Sequence, residues 1–574
     1  MYDLVIRGGT IVDGTGGAPR RADVAITGDR IAAVGTEVGP GAREIDASGQ
    51  LVTPGWVDIH THYDGQVTWD EHLTPSGWHG VTTIVMGNCG VGFAPVRDDQ
   101  HDFLIQLMEG VEDIPGTALS EGLTWGWETF PEYLDAVDAM PRSIDVGAQV
   151  PHGAVRAYVM GQRGADNEVA TAEDIAAMAE VVREGLEAGA LGFSTSRTWL
   201  HRAKDGKPVP GTSAADDELF GIGDALRDAG HGVFQIASDL MPEEPEIAWM
   251  KRITHDTGRR VAFSLLQNTL EPDQWRRMLE VCEQDAAEGG QLSPMVAQRP
   301  SGILLGWEST IHPFVFHPGY DAIAHLEPTE RLRLLAEPET RTSILGNPPD
   351  MAAFEGLLAT VVRGFTRQFP LGDPPEYEPG PERSIAAIAK CEGRSPHDVA
   401  YDVMMEDDGH GFIYMPLLDY NDGNLDNTRE LMLHPQSVFG LSDGGAHCGL
   451  ICDCSVPSYL LTHWARDRTR GERIPVETVV SKQTRETAEF YGMFDRGVIA
   501  PGMKADLNVI DFDKLHIRSP RMVYDLPAGG RRLIQEVDGY SYTVCSGEVI
   551  YESGQPTGAL PGKLVRGPQP APVA

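Results

Sequence analysis

Leu51-Val52-Thr53-Pro54-Gly55 runs into Val57-Asp58-Ile59-His60-Thr61-His62, and this junction sets the reading of the whole chain. Its two histidines stand at i and i+2. Alternate side chains of a strand face the same way, with Cα atoms roughly 6.5 Å apart, so both imidazoles can reach one ion at the strand's end. Asp58 shares their face, while Val57 and Ile59 are free to pack on the other. A lone His-x-His is a weak signal, because surface and core histidines are common. Its setting decides the matter.

Upstream, residues 2–53 read as short strands. Asp3-Leu4-Val5-Ile6-Arg7, Asp23-Val24-Ala25-Ile26, Arg30-Ile31-Ala32-Ala33-Val34 and Glu44-Ile45-Asp46 alternate in polarity between Gly-rich turns. The same texture returns in Ala505–Ile510 and Tyr542–Ile550. Neither fragment is able to fold alone, so the two termini are expected to combine into one small composite β-sandwich. Between them, apolar strand-like runs alternate with helical patterns, which argues for an α/β architecture. Thr171-Ala172-Glu173-Asp174 has the form of a capping box. Apolar residues recur from Ile175 through Leu186, and Gly189 stops the helix. Candidate strands at Val57–His62, Val81–Met86, Val146–Val150, Ala190–Ser194, Gly232–Ile236, Val261–Leu265, Gln291–Val296 and Val438–Leu441 number eight, which closes a TIM barrel.

The expected organisation is therefore 1–54 and 491–560 as the two parts of the sandwich and 55–490 as the barrel. An insertion around 300–435 lies over the barrel's carboxyl end, where active-site loops gather, and 561–574 form a flexible, Pro- and Ala-rich tail.

Composition narrows the partners. The 574 residues carry 46 Lys and Arg against 85 Asp and Glu, a net charge of -39. Such a surface repels phosphate backbones and anionic membranes, so nucleic acid and membrane are excluded as partners and a small molecule is expected. No apolar run approaches the roughly 20 residues that span a bilayer, and the amino terminus has no signal-peptide pattern. Seven scattered cysteines argue against a disulfide framework and for the cytoplasm.

Val-Asp-Ile-His-Thr-His after Thr-Pro-Gly, the late Leu441-Ser442-Asp443-Gly444 and the segment Gly497–Leu507 together resemble the metal-dependent amidohydrolase superfamily, over nearly the whole chain. Gly87-Asn88-Cys89-Gly90-Val91-Gly92-Phe93-Ala94-Pro95 resembles the D-aminoacylase branch, the N-acyl-D-amino-acid deacylases, in which a cysteine takes the place of a carboxylated lysine. The resemblance implies zinc, a TIM barrel and hydrolysis of an amide by metal-activated water.

On that resemblance His60 and His62 are nitrogen ligands, and Asp443 supplies a carboxylate and serves as general base; the plainer reading of Asp443 is an Asp-Gly turn. Cys89 is a thiolate ligand or else a small buried hydrophobe. D-aminoacylases also carry metal-binding histidines at the ends of the fifth and sixth strands. The matching stretches here, Phe234–Ser238 and Phe263–Gln267, have none, and Ala237 and Leu265 cannot bind zinc. A single Zn²⁺ per site is therefore expected. His152 is a candidate to polarise the scissile carbonyl or to hold a substrate carboxylate, against the alternative of a loop histidine bonded to backbone. Arg197 is a candidate clamp on a substrate carboxylate, against an ordinary salt bridge. His201 and His447 are further candidates, His201 for substrate and either as a replacement for a missing metal ligand, and Arg299 is a further candidate to bind a substrate carboxylate. Cys448, Cys452 and Cys454 read as packing.

Three functions remain open: hydrolysis of a linear N-acyl amino acid, hydrolysis of a cyclic amide or carbamoyl compound, and a degenerate barrel that binds without turnover. The resemblance leaves a homo-oligomer open, and no surface stripe marks an interface.

Overall fold

The two ends of the chain meet in one sheet. The computed structural model describes residues 1–350, 354 and 356–572. Among these, strands Tyr2–Ile11, Arg20–Thr27, Arg30–Gly35, Gly41–Asp46 and Leu51–Pro54 join Leu507–Ile510, Tyr540–Cys545, Glu548–Glu552 and Gln555–Pro556 in a nine-stranded sheet. Leu51–Pro54 is its hinge strand. It lies parallel to the first strand and antiparallel to Leu507–Ile510, with Pro54 opposite Leu507. Leu4, Ile6, Val24, Val52, Leu507 and Val544 are buried together, each contributing about 1.5–3 kcal/mol relative to exposure.

The chain then passes into the barrel. The Gly55 N–H donates to the Asp506 carbonyl at 2.8 Å. A Cβ on Gly55 would stand 2.1 Å from Thr82 Oγ1, so only glycine allows this approach to the next strand. Among the described residues eight parallel strands follow in the order of the chain: Trp56–Asp58, Val81–Met86, Asp145–Pro151, Gly192–Arg197, Val233–Ser238, Arg260–Ser264, Leu292–Val296 and Val438–Phe439. All eight coincide with the sequence-derived candidates to within a few residues. The first and last strands meet through Thr61 and Gly444, which form a parallel bridge. The His62 N–H donates to the Gly444 carbonyl at 2.8 Å, and the Asp443 N–H to the His60 carbonyl at 3.2 Å. The expected helix spans Ala172–Glu187, with Thr171 and Asp174 forming its capping box.

Between the seventh and eighth strands, Gly302–Leu305, Ile413–Pro416 and Phe369–Pro370 make a three-stranded sheet with its own core around Trp307, Phe314, Tyr320 and Tyr401. The tail, expected to be flexible, is instead fastened to the body. Lys563 and Val565 bond to Val146, Gly567 to Gly189 and Gln569 to Gly492 through backbone groups, and Leu564 and Val565 are buried. Backbone pairing with Val146 of the third barrel strand and with Gly189 and Gly492 supplies the order that the composition does not. No helix among the described residues is long and apolar enough to cross a membrane.

Candidate metal centre

The seam that closes the barrel also assembles the site. His60 and His62 follow the first strand, both 1% exposed, and the seam hydrogen bonds bring Asp443 across from the eighth. Asp443 Oδ1 lies 3.3 Å from His60 Nε2 and 3.7 Å from His62 Nε2. Ser442 Oγ donates to Asp58 Oδ2 at 2.5 Å, which fixes the base of the seam beneath the histidines. Cys89 arrives from the loop after the second strand. Its Sγ lies 3.4 Å from His60 Nε2, and its N–H donates to Gln235 Oε1 at 3.1 Å.

Among the described residues His60, His62 and Cys89 form the group whose ligand atoms all lie within 4.8 Å of one another. The backbone is left-handed at Cys89 (φ 56°), Asp443 (φ 49°) and His447 (φ 54°). Such residues each cost of order 1–3 kcal/mol and persist where the surroundings over-determine them, which is the habit of functional sites. Gly90, at φ 71°, continues the Cys89 turn, and a Cβ there would stand 2.9 Å from the Ser196 nitrogen.

The electrostatics separate the two histidines. Burial pushes His60 down to about 4, so it is a neutral donor. Burial also works against a charge on His62, but Glu112, Asp443 and Cys89 outweigh it and raise its affinity for a proton. Desolvation works against a charge on the half-buried Asp443, yet the surrounding imidazoles of His62, His60 and His447 hold its carboxyl well below the usual range. Burial pushes the Cys89 thiol up to about 12.

The remaining sequence candidates divide sharply. His447 joins the site, its Nε2 3.7 Å from Asp443 Oδ2. His201 stands at its margin, 3.1 Å through Nδ1 from Ser196 Oγ; burial and the imidazoles of His447 and His62 push it down to about 3.

Three others are held by partners away from the seam. His152 has both nitrogens engaged, Nδ1 2.8 Å from Thr195 Oγ1 and Nε2 2.8 Å from Glu218 Oε1. It is wholly buried beside an Arg156–Glu218 ion pair, so no nitrogen remains for a carbonyl. Arg197 is paired through Nε and Nη2 with Glu246 at 2.6–3.0 Å and donates from Nη1 to the Ala214 carbonyl at 2.9 Å, so the salt-bridge alternative holds. Arg299 is buried against Asp453 and Ser455, over the Tyr377 ring.

The structure also puts Ala237 and Leu265, both buried, at the ends of the fifth and sixth strands, so no histidine enters there. Cys452 and Cys454 lie buried with their sulfurs 3.9 Å apart.

Sequence reasoning missed Glu112. This residue ends helix His101–Glu112, 1% exposed, with Oε1 3.3 Å from His62 Nδ1. A signal was present: Glu112 falls at i+8, i+7 and i+4 from Leu104, Ile105 and Met108, on the helix's apolar stripe.

With this geometry in view, the sequence profile of the amidohydrolase family matches residues 43–551. The chain belongs to the amidohydrolase family. Its likeness within that family is to the D-aminoacylase branch. It is 38% identical over 195 residues to a D-aminoacylase of Alcaligenes xylosoxydans xylosoxydans, a match covering 34% of this chain and 37% of that protein. It is 32% identical over 246 residues to an N-acyl-D-aspartate deacylase of the same organism, covering 43% and 44%. The chain thus spans less than half the length of these two relatives. With an uncharacterized protein of Mycobacterium tuberculosis it shares 29% identity over 589 positions, covering 96% and 92%. A crystal structure of D-aminoacylase superposes with a TM-score of 0.64 at 24% identity, over 99% of this chain and 100% of that one, so this amidohydrolase shares that fold.

Proposed function

We propose that this protein is a metal-dependent hydrolase of the amide bond in an N-acyl amino acid or a similar small acid, using one Zn²⁺ held by His60, His62, Cys89 and Asp443. The barrel of residues 55–490 carries the reaction in this reading, and the terminal sheet, 1–54 with 491–560, braces it. The observation that carries the reading is the convergence at one seam of two Nε2 atoms, a thiol and a carboxylate. Two nitrogens, a sulfur and an oxygen are a donor set that zinc accepts, and with Cys89 as the fourth protein ligand the ion would have to keep a further position open for water. Neutral His60 offers the lone pair a ligand needs, and a cation is what would remove the Cys89 proton.

When bound, zinc supplies Lewis acidity toward water and the scissile carbonyl. Asp443 does the proton work. Held ionised, it turns Oδ1 to the histidines and keeps Oδ2 toward His447, so it can take a proton from the attacking water and return it to the leaving nitrogen.

A second reading, hydrolysis of a cyclic amide or carbamoyl compound, draws on Arg197. With its guanidinium committed to Glu246, Arg197 is withheld from a free substrate carboxylate. Metal analysis of protein purified without added zinc, with assays on N-acyl-D- and N-acyl-L-amino acids and on cyclic amides, tests both readings. About one equivalent of zinc with turnover of an N-acyl series is expected. Two equivalents would refute the single-ion site, and turnover of cyclic amides alone would select the second reading.

A further inference from the structure

Glu112 has no part in the proton transfers above, yet it is placed as though the site were built around it. Its Oε1 faces His62 Nδ1 at 3.3 Å and its Oε2 faces His447 Nε2 at 3.6 Å. Glu112 Oε1 and His62 Nδ1 are both fully enclosed, and neither has a hydrogen-bond partner. A buried carboxylate left unpaired costs several kcal/mol, so its position calls for a proton donor facing it. The helix end that carries it is also tied to the loop after the eighth strand. The Glu112 carbonyl accepts from the His447 N–H, and Asp113 Oδ2 accepts from the Gly449 N–H at 2.9 Å.

We propose that Glu112 is a positioning residue, which accepts the Nδ1–H of His62 and so keeps that ring's Nε2 turned to the ion site. This inference rests on the metal-site reading given above. The two histidines differ in this respect. His60 Nδ1 lies 3.2 Å from Met295 Sδ, a weak acceptor, so no carboxylate backs it. His62, with Glu112 behind it, is the stronger donor of the pair. Because the same carboxylate reaches His447, an ion on His62 is also coupled to the loop that carries Asp443.

A carboxylate behind a ligating imidazole fixes its tautomer and raises its basicity, and losing it typically weakens metal binding about 10–100-fold. The test is zinc affinity of the full-length protein, stripped of metal and titrated against a competing chelator, for wild type, E112Q and E112D. Melting temperatures of the metal-free forms are measured alongside. E112Q keeps the shape without the charge and is expected to bind zinc about 10–100-fold more weakly at an unchanged metal-free melting temperature. E112D, which restores the charge, is expected to recover part of the loss.

Wild-type affinity in E112Q overturns the proposal, as does a loss that only follows a falling melting temperature. Nitrogen-15 NMR of histidine-labelled, zinc-loaded wild type needs no variant: His62 protonated on Nδ1 and ligated through Nε2 is expected, and the reverse tautomer refutes it. A wild type that binds no zinc brings down the metal-site reading, and this inference with it. Zinc-binding wild type with equally tight E112Q brings down only the inference.

Discussion

Replacing Arg197 by methionine separates a structural guanidinium from a substrate clamp. The Arg197 and Glu246 side chains are 14% and 7% exposed. Between them run three hydrogen bonds of 2.6–3.0 Å, with Ala214 and the face of Trp249, 5.4 Å from the ring centre, completing the guanidinium's surroundings. Methionine fills much of the same volume but leaves the Glu246 carboxylate with one hydroxyl donor, Ser238 Oγ at 3.2 Å. Breaking a buried pair from one side costs about 3–5 kcal/mol, and the residual exposure of Arg197 puts R197M at about 3 kcal/mol.

The thermal midpoint of R197M should fall by several degrees in scanning fluorimetry. The double variant R197M/E246L should recover most of the loss, because two apolar side chains of similar volume leave no unpaired charge. KM for any turned-over substrate should stay within about twofold of wild type, since no uniform binding has been removed. A stable R197M with a KM raised tenfold or more, only for substrates carrying a free carboxylate, would show that Arg197 leaves Glu246 to hold substrate.

Two more outcomes follow from the site and its surroundings. D443N should lower kcat about 10²–10⁴-fold, the usual contribution of a positioned base, at a measured zinc content; activity within tenfold of wild type would remove Asp443 from that role. Burial pushes the Glu218 carboxyl up, but His152 and Arg156 overcome it and hold it at about 2. Because the folded value lies below the unfolded one of about 4.3, this stabilisation is complete above about pH 4.3 and is lost as the pH falls toward about 2. The thermal midpoint of wild type should therefore drop over that interval, and E218Q should flatten the drop; equal slopes would refute the coupling.

The contrast between candidates that the fold brings together at the seam and those it pairs elsewhere is physical. His60, His62 and the Asp443-Gly444 turn belong to short stretches whose local form places them: a strand end in one case, a reversal at φ 49° in the other. Cys89 lies in a loop of positive-φ glycines that the backbone itself demands. Thr171 and Asp174 satisfy each other across three residues. By contrast, His152, Arg197 and Arg299 have the expected residue types just past barrel strands, where binding groups gather, and each was taken by a partner far along the chain. Glu218 lies 66 residues from His152, Glu246 lies 49 from Arg197, and Asp453 lies 154 from Arg299.

The alternation of strands and helices, the joining of the two termini, the His-x-His pair and the lack of histidine on the fifth and sixth strands were legible from the chain alone. These depend on periodicity and on residue types at fixed spacing, which the unfolded chain already carries. Which polar groups at the barrel's mouth stay free was settled by long-range packing. It spent His152, Arg197 and Arg299 on buried partners and drew Glu112 from a helix end to the back of His62. A buried charge must be matched by whatever packing brings within reach, and that choice is made between segments rather than within them.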